Sequence, residues 1–268
     1  MTIPVFTAVT ADKYLLYQNS VQTPTNDIAF FEQLCQDRGQ AAPLHLREDF
    51  CGTAYLCSEW LKSNPERSAE GFDIDSKVIE WGLEHNFRKK SISEEQLVLH
   101  CADVRNLSNN SPDIRCAQNF SYCVFKTRNE LIQYFTHAAS DLATGALFVL
   151  DLYGGPHAME WMEEETEYDE FAYVWDQDEF WPVSAETRCY IHFRFSDGSK
   201  LEKAFEYDWR LWTLPEVRDC LEESGFSRVE VYWEGTAEDG ESGDGNYSLT
   251  QRGENDDAWV SYIVASRD

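Results

Sequence analysis

The chain reads as an α/β protein: a Rossmann-like, seven-stranded, mostly parallel sheet with an antiparallel last strand, carrying an antiparallel β insert as a lid. Three observations predict this. Between Leu44 and Leu152 short apolar runs alternate with helical periods, as in a parallel sheet covered by helices. From Arg188 onward the alternation has period 2, and Asp197-Gly198 sits where a hairpin turn belongs. The last two strand-like runs are joined by a Gly- and Asp-rich loop without a helical pattern; parallel neighbours need a crossover, whereas antiparallel ones can join through a loop.

The first strand is expected over Leu44 to Phe50. A helix follows with Ala54, Leu56, Cys57, Trp60 and Leu61 on one face, stopping at Asn64-Pro65. The second strand runs Ala69 to Ile74, followed by a helix near Ser76 to Phe87; the third runs Leu97 to Ala102 and the fourth Ile114 to Ala117. Thr127 and Glu130 have capping-box spacing at the head of a helix carrying Leu131, Ile132, Phe135, Ala138, Ala139 and Leu142, with Gly145 as its stop. The run Ala146 to Leu152 is a buried fifth strand. After Gly154-Gly155-Pro156 the composition turns acidic and aromatic. Cys189, Ile191, Phe193 and Phe195 then share one strand face, and Leu201, Phe205, Tyr207 and Trp209 continue beyond the turn. Thr213, Pro215 and Glu216 open another helix that Gly225 closes, before strands at Val229 to Trp233 and Trp259 to Ala265. The expected organisation is a helical N-terminal segment (1–40), a core (41–156), a lid (157–212) and a C-terminal segment (213–268) completing the core.

Composition bounds the function. Of 268 residues 43% are hydrophobic, enough for a substantial core, which excludes a solvating, disordered chain. The net charge of −27 repels phosphate backbones and anionic lipid, so nucleic acid and membrane partners are disfavoured. No apolar run approaches a membrane span, and the opening residues lack the basic region of a secretion signal. The 8 cysteines form no C-x-x-C pair and no cluster with His at metal-ligand spacing, which reads as reduced thiols in a cytoplasmic protein without a metal site.

Ligands of open α/β sheets bind at the carboxyl ends of the strands. Here those ends are Arg47 to Ala54 (R-E-D-F-C-G-T-A), Gly71 to Asp75 (G-F-D-I-D), Cys101 to Arg105 (C-A-D-V-R), Gln118 to Tyr122 (Q-N-F-S-Y) and Leu150 to Pro156 (L-D-L-Y-G-G-P). This constellation resembles the class I S-adenosylmethionine-dependent methyltransferases over most of the chain. The resemblance places Cys51, Gly52 and Thr53 at the family's glycine-rich loop, where the main chain lies close to the methionine half of the cofactor. It places Asp73, about 20 residues on, at the ribose, with Ile74 beside it. Asp103 takes the position facing the adenine amino group, next to the Val104 backbone, and Glu48 the acidic position near the cofactor's ammonium. Phe50 and Ala54 stand where the commonest pattern has its outer glycines. The string resembles the D-P-F-C-G-T-G of amino-methylating members, with Glu48 for Asp and Asp49 for Pro. Those members carry a [DN]-P-P-[YF] motif after the fourth strand; here Asn119-Phe120-Ser121-Tyr122 occupies that place, without the prolines. The resemblance implies that Asn119 accepts from a target amine and Tyr122 packs against the acceptor. Lys13 to Pro24 resembles the N-terminal cover of glycine-type N-methyltransferases, with Tyr17 as a cover residue; a helix packed on the sheet edge is the alternative.

Simpler readings stand beside these. A strand-end Asp such as Asp73 also serves as a helix cap, and Asp103 can bond its own turn. Cys51 has no neighbouring His or Lys to activate it as a nucleophile. His45 reads as a core residue and His157, after the fifth strand, as a candidate acid or base. The rings Trp161, Tyr168, Phe171, Tyr173, Trp175, Phe180 and Trp181 form the core of a lid or, for a minority, surround a cationic acceptor. Glu234 to Asp257 reads as a solvated loop. A dinucleotide-binding domain would need G-x-G-x-x-G, of which only Gly52 is present. The sequence thus points to S-adenosylmethionine-dependent methyl transfer to a small polar acceptor, an amine among the candidates. The alternatives are a nucleic-acid or protein amino-methyltransferase and a non-catalytic S-adenosylmethionine-binding subunit. The oligomeric state is left open.

Overall fold

The computed structural model describes residues 6–237 and 243–267. Two N-terminal helices, α1 (Lys13–Val21) and α2 (Pro24–Asp37), precede alternating strands and helices: β1 (His45–Asp49), α3 (Tyr55–Ser63), β2 (Ser68–Asp73), α4 (Ser76–Gly82), β3 (Leu97–Cys101), β4 (Ile114–Ala117), α5 (Arg128–Asp141) and β5 (Leu147–Gly154). Four strands then form a separate sheet: β6 (Met162–Glu167), β7 (Phe171–Trp181), β8 (Glu186–Phe195) and β9 (Lys200–Arg210). The chain returns through α6 (Leu214–Glu223), β10 (Arg228–Thr236), β11 (Gly243–Thr250) and β12 (Trp259–Ser266).

The main sheet has the order β11-β10-β12-β5-β4-β1-β2-β3, with β3, β2, β1, β4 and β5 parallel and β12 antiparallel to both β5 and β10. The strand order reverses between β1 and β4, which makes their carboxyl ends a switch-point crevice. One face of the sheet is covered by Ile28, Phe31, Leu34, Leu56, Trp60 and Leu61 of α2 and α3. The other packs Leu131, Tyr134, Phe135, Val217 and Leu221 of α5 and α6. Both capping boxes form: the side chains of Thr127 and Thr213 accept from the Glu130 and Glu216 amides, and each Glu carboxylate accepts from its capping residue's amide. Each box contributes about 1 kcal/mol.

The sheet carries one strand beyond the seven expected. β11 lies inside the segment read as a solvated loop and pairs antiparallel with β10 at the open edge. Its sequence, G-D-G-N-Y-S-L-T, has no apolar alternation because an edge strand here leaves its residues exposed or half-exposed. Residues 238–242 of that segment lie outside the described residues, as do residues 1–5 of the opening stretch. The helix expected over Ser76 to Phe87 is α4 followed by a π-helical turn over Leu83–Arg88. All eight cysteines are free thiols, only Cys101 being exposed. No helix among the described residues is long and apolar enough to cross a membrane.

The second sheet has its own small core of Phe171, Ile191, Phe193 and Phe195, and Leu16 of α1 is buried in it. α1 therefore lies on the second sheet, not on the edge of the first. Hydrogen bonds tie α1 and its cap across to neighbouring segments: Gln18 Nε2 to Thr53 Oγ1 (2.7 Å), Trp81 Nε1 to Asp12 Oδ2 (2.7 Å), Lys13 Nζ to the Ala204 carbonyl (3.0 Å) and the Tyr168 hydroxyl to the Ser20 carbonyl (3.1 Å).

Candidate active site

Beneath α1 and β9 lies a cavity of about 340 Å³ at the carboxyl ends of β1, β2 and β4. Tyr17, Glu48, Asp49, Phe50, Cys51, Gly52, Thr53, Asp73 and Asn119 line it. The loop after β1 alternates left-handed residues, with φ of 55° at Phe50, 52° at Gly52 and 52° at Ala54. The two positions where glycines would be expected thus keep a glycine-like conformation while bearing side chains, at about 1–2 kcal/mol each. Compensation comes from packing. Cys51 N–H donates to the Phe72 carbonyl (2.9 Å), Asn86 Nδ2 to the Thr53 carbonyl (2.9 Å), and Ala54 is fully buried. A Cβ on Gly82 would stand 2.2 Å from the Thr53 carbonyl oxygen, so only glycine lets α4 press on this loop. A Cβ on Gly52 would meet no protein atom within 4 Å; the left-handed φ and the cavity, not crowding within the protein, set the requirement there.

Asp73 ends β2 at the wall. Its Oδ2 accepts from Gly52 N–H and its Oδ1 from Asp75 N–H, both at 2.9 Å. Burial raises its pKa against these hydrogen bonds. Asp75, through its own side chain, caps α4, leaving Asp73 to face the cavity. Glu48 is 4% exposed and accepts from Cys57 N–H (3.2 Å) and Sγ (3.0 Å); burial pushes it up to about 8. Burial likewise pushes the Cys51 thiol up, the opposite of what a nucleophile needs. Asp49 lines the cavity only from beneath. Its carboxylate is fully buried and takes Arg47 Nε (2.8 Å), Arg115 Nε (2.7 Å) and the Tyr134 hydroxyl (2.7 Å).

After β4 the chain makes a second strained turn. Asn119 (φ 56°) and Phe120 (φ 57°) are both left-handed, and both of their amides donate to the Asp151 carboxylate of β5, at 2.6 and 2.8 Å. Burial holds Asp151 at about 7 even so. Gln118 beside them is 9% exposed with neither amide atom partnered, in a wall of the cavity.

Several expected site residues lie elsewhere. Tyr122 is fully buried against Phe135: the left-handed pair leads into a 3-10 turn, Ser121–Val124, that turns Tyr122 inward and leaves Ser121 and Val124 at the cavity. Asp103 lies outside the cavity, paired with Arg105 Nε (2.8 Å) and Nη2 (2.5 Å), which holds its carboxyl below the usual range. Val104 is buried, its carbonyl taken by Nη2 of Arg47 and of Arg115, each at 2.7 Å. Ile74 is 78% exposed, beyond the end of β2. His157 sits on a 3-10 turn after β5, in an outer crevice with Trp259 and Gln177. His45, read as a core residue and not as part of the site, is half-buried at the opening of β1 and bonds Ser68 (2.8 Å).

A second chamber of about 350 Å³ adjoins the first, sharing Tyr17, Asn119, Tyr207 and Trp209. Phe120, Tyr153, Tyr173 and Trp175 complete an aromatic wall, with Glu164 at its rim. Of the insert's rings, Tyr173 and Trp175 thus reach the chamber. Tyr168 and Phe171 stack in the lid core at 4.9 Å, and Trp161 is 74% exposed. Sequence reasoning passed over Gln118, Tyr207, Trp209, Asp151 and Glu164. Gln118 and Asp151 stood in the strand-end strings without a role assigned to them, and Asp151 had a further signal as a charge inside the apolar run Leu147 to Leu152.

No family model and no curated protein matches the chain. Among solved structures it is similar to a S-adenosylmethionine-dependent methyltransferase from Clostridium acetobutylicum (TM-score 0.69, 15% identity, 95% of this chain and 97% of that one). It is also similar to DesVI of Streptomyces venezuelae (TM-score 0.67, 17% identity, 95% and 96%). A third is CalS10, an amino pentose methyltransferase from Micromonospora echinaspora solved with S-adenosylmethionine bound (TM-score 0.66, 14% identity, 95% and 96%). What the chain shares with them at this identity is the fold.

Proposed function

We propose that the chain transfers the methyl group of S-adenosylmethionine to a small polar acceptor. The observation that carries this is Asp73: a partly buried carboxylate at the end of β2, aligned by the Gly52 amide, in a switch-point cavity that opens at Asn119 into a second chamber. A dinucleotide site would want a glycine-rich turn presenting several amides to a pyrophosphate. Here the loop bears Phe50, Cys51 and Ala54. The lining acids are Glu48, which burial pushes up to about 8, Asp49, neutralised from beneath by Arg47 and Arg115, and Asp73 and Asp75, which leave the cavity a net negative wall with Lys13 as its one cation among the described residues. That charge pattern suits a cationic nucleoside.

The residues present fit the cofactor. Asp73 would hold the ribose hydroxyls, the Gly52 main chain the methionine half, Glu48 the ammonium and the unpartnered Gln118 amide a polar end. When bound, the cofactor supplies a methyl group already activated on a sulfonium. The protein's task is then placement and exclusion of water. Asn119, held by Asp151, stands at the opening between the chambers, and its side-chain oxygen is the acceptor for a donor group on the substrate. Tyr17 of α1 and Tyr207 and Trp209 of β9 cover both spaces, so α1 acts as the N-terminal cover.

Isothermal titration with S-adenosylhomocysteine, with NAD⁺ as the competing ligand, tests the reading. Saturable micromolar binding of the first and none of the second is expected. Binding of NAD⁺ alone, or of neither, overturns it.

A further inference from the structure

We infer that the second chamber binds a small apolar body carrying an amine, taken up as its ammonium, which gives the acceptor of the proposed reaction its chemical class. For transfer the ammonium would first release its proton to solvent at the Glu164 rim, and the freed lone pair would take the methyl carbon as the C–S bond breaks to leave S-adenosylhomocysteine. The inference rests on the proposed function for its connection to methyl transfer. The walls are largely aromatic rings. Phe120 and Tyr153 pack at 4.8 Å between centroids, Tyr207 and Trp209 at 4.3 Å, and Trp175 lies 5.7 and 6.2 Å from these last two. Ring faces carry negative potential and attract a cation set against them. Among the described residues no Lys, Arg or His lines the chamber, and its one charged residue is Glu164.

Strand alternation isolates this carboxylate. Glu163 and Glu165 both pair with Arg194 on one face of the lid sheet. Glu164 between them points to the other face, beside its cross-strand partner Trp175, and has no cationic partner among the described residues. A carboxylate left unpaired at the rim of an aromatic chamber is the counter-charge an ammonium needs. An anionic acceptor would meet Glu164 and ring faces with no cation to offset them. A polyhydroxylated neutral one would leave most hydroxyls unsatisfied, since the polar groups offered are Asn119, Thr166 and the tyrosine hydroxyls. The Tyr153 hydroxyl is buried without a partner and is available to an acceptor's polar substituent.

Three isosteres of different charge test this: choline, neutral 3,3-dimethylbutan-1-ol and anionic 3,3-dimethylbutanoate, each titrated calorimetrically into the protein saturated with S-adenosylhomocysteine. Choline should bind roughly tenfold more tightly than the alcohol, with no binding of the carboxylate. Glu164→Gln, at an exposed position, should reduce the preference about threefold or more at unchanged melting temperature, and Trp175→Leu should remove most of what remains. Equal affinity for choline and the alcohol, or a preference unaffected by both substitutions, overturns the inference. A separate titration without choline reads S-adenosylhomocysteine itself, so loss of cofactor binding with retained choline selectivity would sink the methyl-transfer reading and leave the cation site standing.

Discussion

Asp151 is the most informative residue to remove. Its two carboxylate oxygens accept the amides of Asn119 and Phe120 at 2.6 and 2.8 Å, and those residues are left-handed at φ 56° and 57°. In Asp151→Ala both donors lose their acceptor, at about 1–3 kcal/mol each. The left-handed pair, itself about 1–2 kcal/mol per residue above the ordinary helical region, then has nothing to hold it. Relief of the buried charge, the same burial that lifts Asp151 to about 7, cancels part of the loss. The net expectation is about 3 kcal/mol, or roughly 6–9 °C in Tm for a domain of this size. Function should suffer more than stability, because a 1 Å displacement of a positioning group can lower turnover about 100-fold. Differential scanning calorimetry and the rate of S-adenosylhomocysteine formation read the two effects. The double substitution Asp151→Ala with Asn119→Gly should recover part of the Tm, since glycine adopts that left-handed backbone without strain and no packed ring is lost. A Tm within 2 °C of the parent, or no recovery in the double variant despite a large loss, would refute the account of this turn.

Further outcomes follow from the first cavity. Asp73→Ala should weaken S-adenosylhomocysteine binding about tenfold or more by calorimetry, because a charged acceptor of roughly 1.5–3 kcal/mol is lost, and unchanged affinity would remove Asp73 from the site. Gly52→Ala should lower Tm by only about 2 °C, the left-handed φ being the sole protein-side penalty, while cofactor affinity falls at least tenfold as the methyl group enters the cavity. Glu48, near 4.5 when unfolded and about 8 when folded, keeps a proton in the native state that the unfolded chain releases. Its contribution to stability is therefore whole below about pH 4.5 and is lost as pH rises toward 8, and Glu48→Gln should flatten that decline in urea titrations. Since only the carboxylate pairs with an ammonium, S-adenosylhomocysteine affinity should rise from pH 6 to 8 in the parent and stay level in Glu48→Gln.

Much of the core was legible because apolar runs and caps act locally. The Thr127 and Thr213 boxes announce α5 and α6, and the run from Leu147 can only be a buried strand. The loop at Cys51 to Thr53 and Asp73 were legible for the same reason: their spacing is set by one β-α-β unit. Other features depend on contacts between distant segments. Tyr122 turns inward because two non-glycine residues adopt a left-handed conformation that only Asp151, about 30 residues away, makes tolerable. β6 (M-E-E-E-T-E) has no apolar alternation because it is an exposed edge strand. Tyr207 and Trp209 reach the cavity only because β9 folds back over the sheet ends, which no local pattern encodes. Asp103 sits at its expected strand end, but Arg105 two residues on captures it.

Arg47 and Arg115 are cross-strand partners on β1 and β4; they share the Val104 carbonyl and the Asp49 and Asp141 carboxylates without exposure to water. Removing one arginine alone would leave two buried carboxylates on a single guanidinium, a net uncompensated charge costing about 3–5 kcal/mol, a large share of the stability of a typical domain. Such a knot constrains descent as well as folding. Lineages of this chain can exchange these four residues together, for an apolar set of similar volume, but the intermediate steps cross a valley of unfolded variants, so the quartet should be inherited as a block.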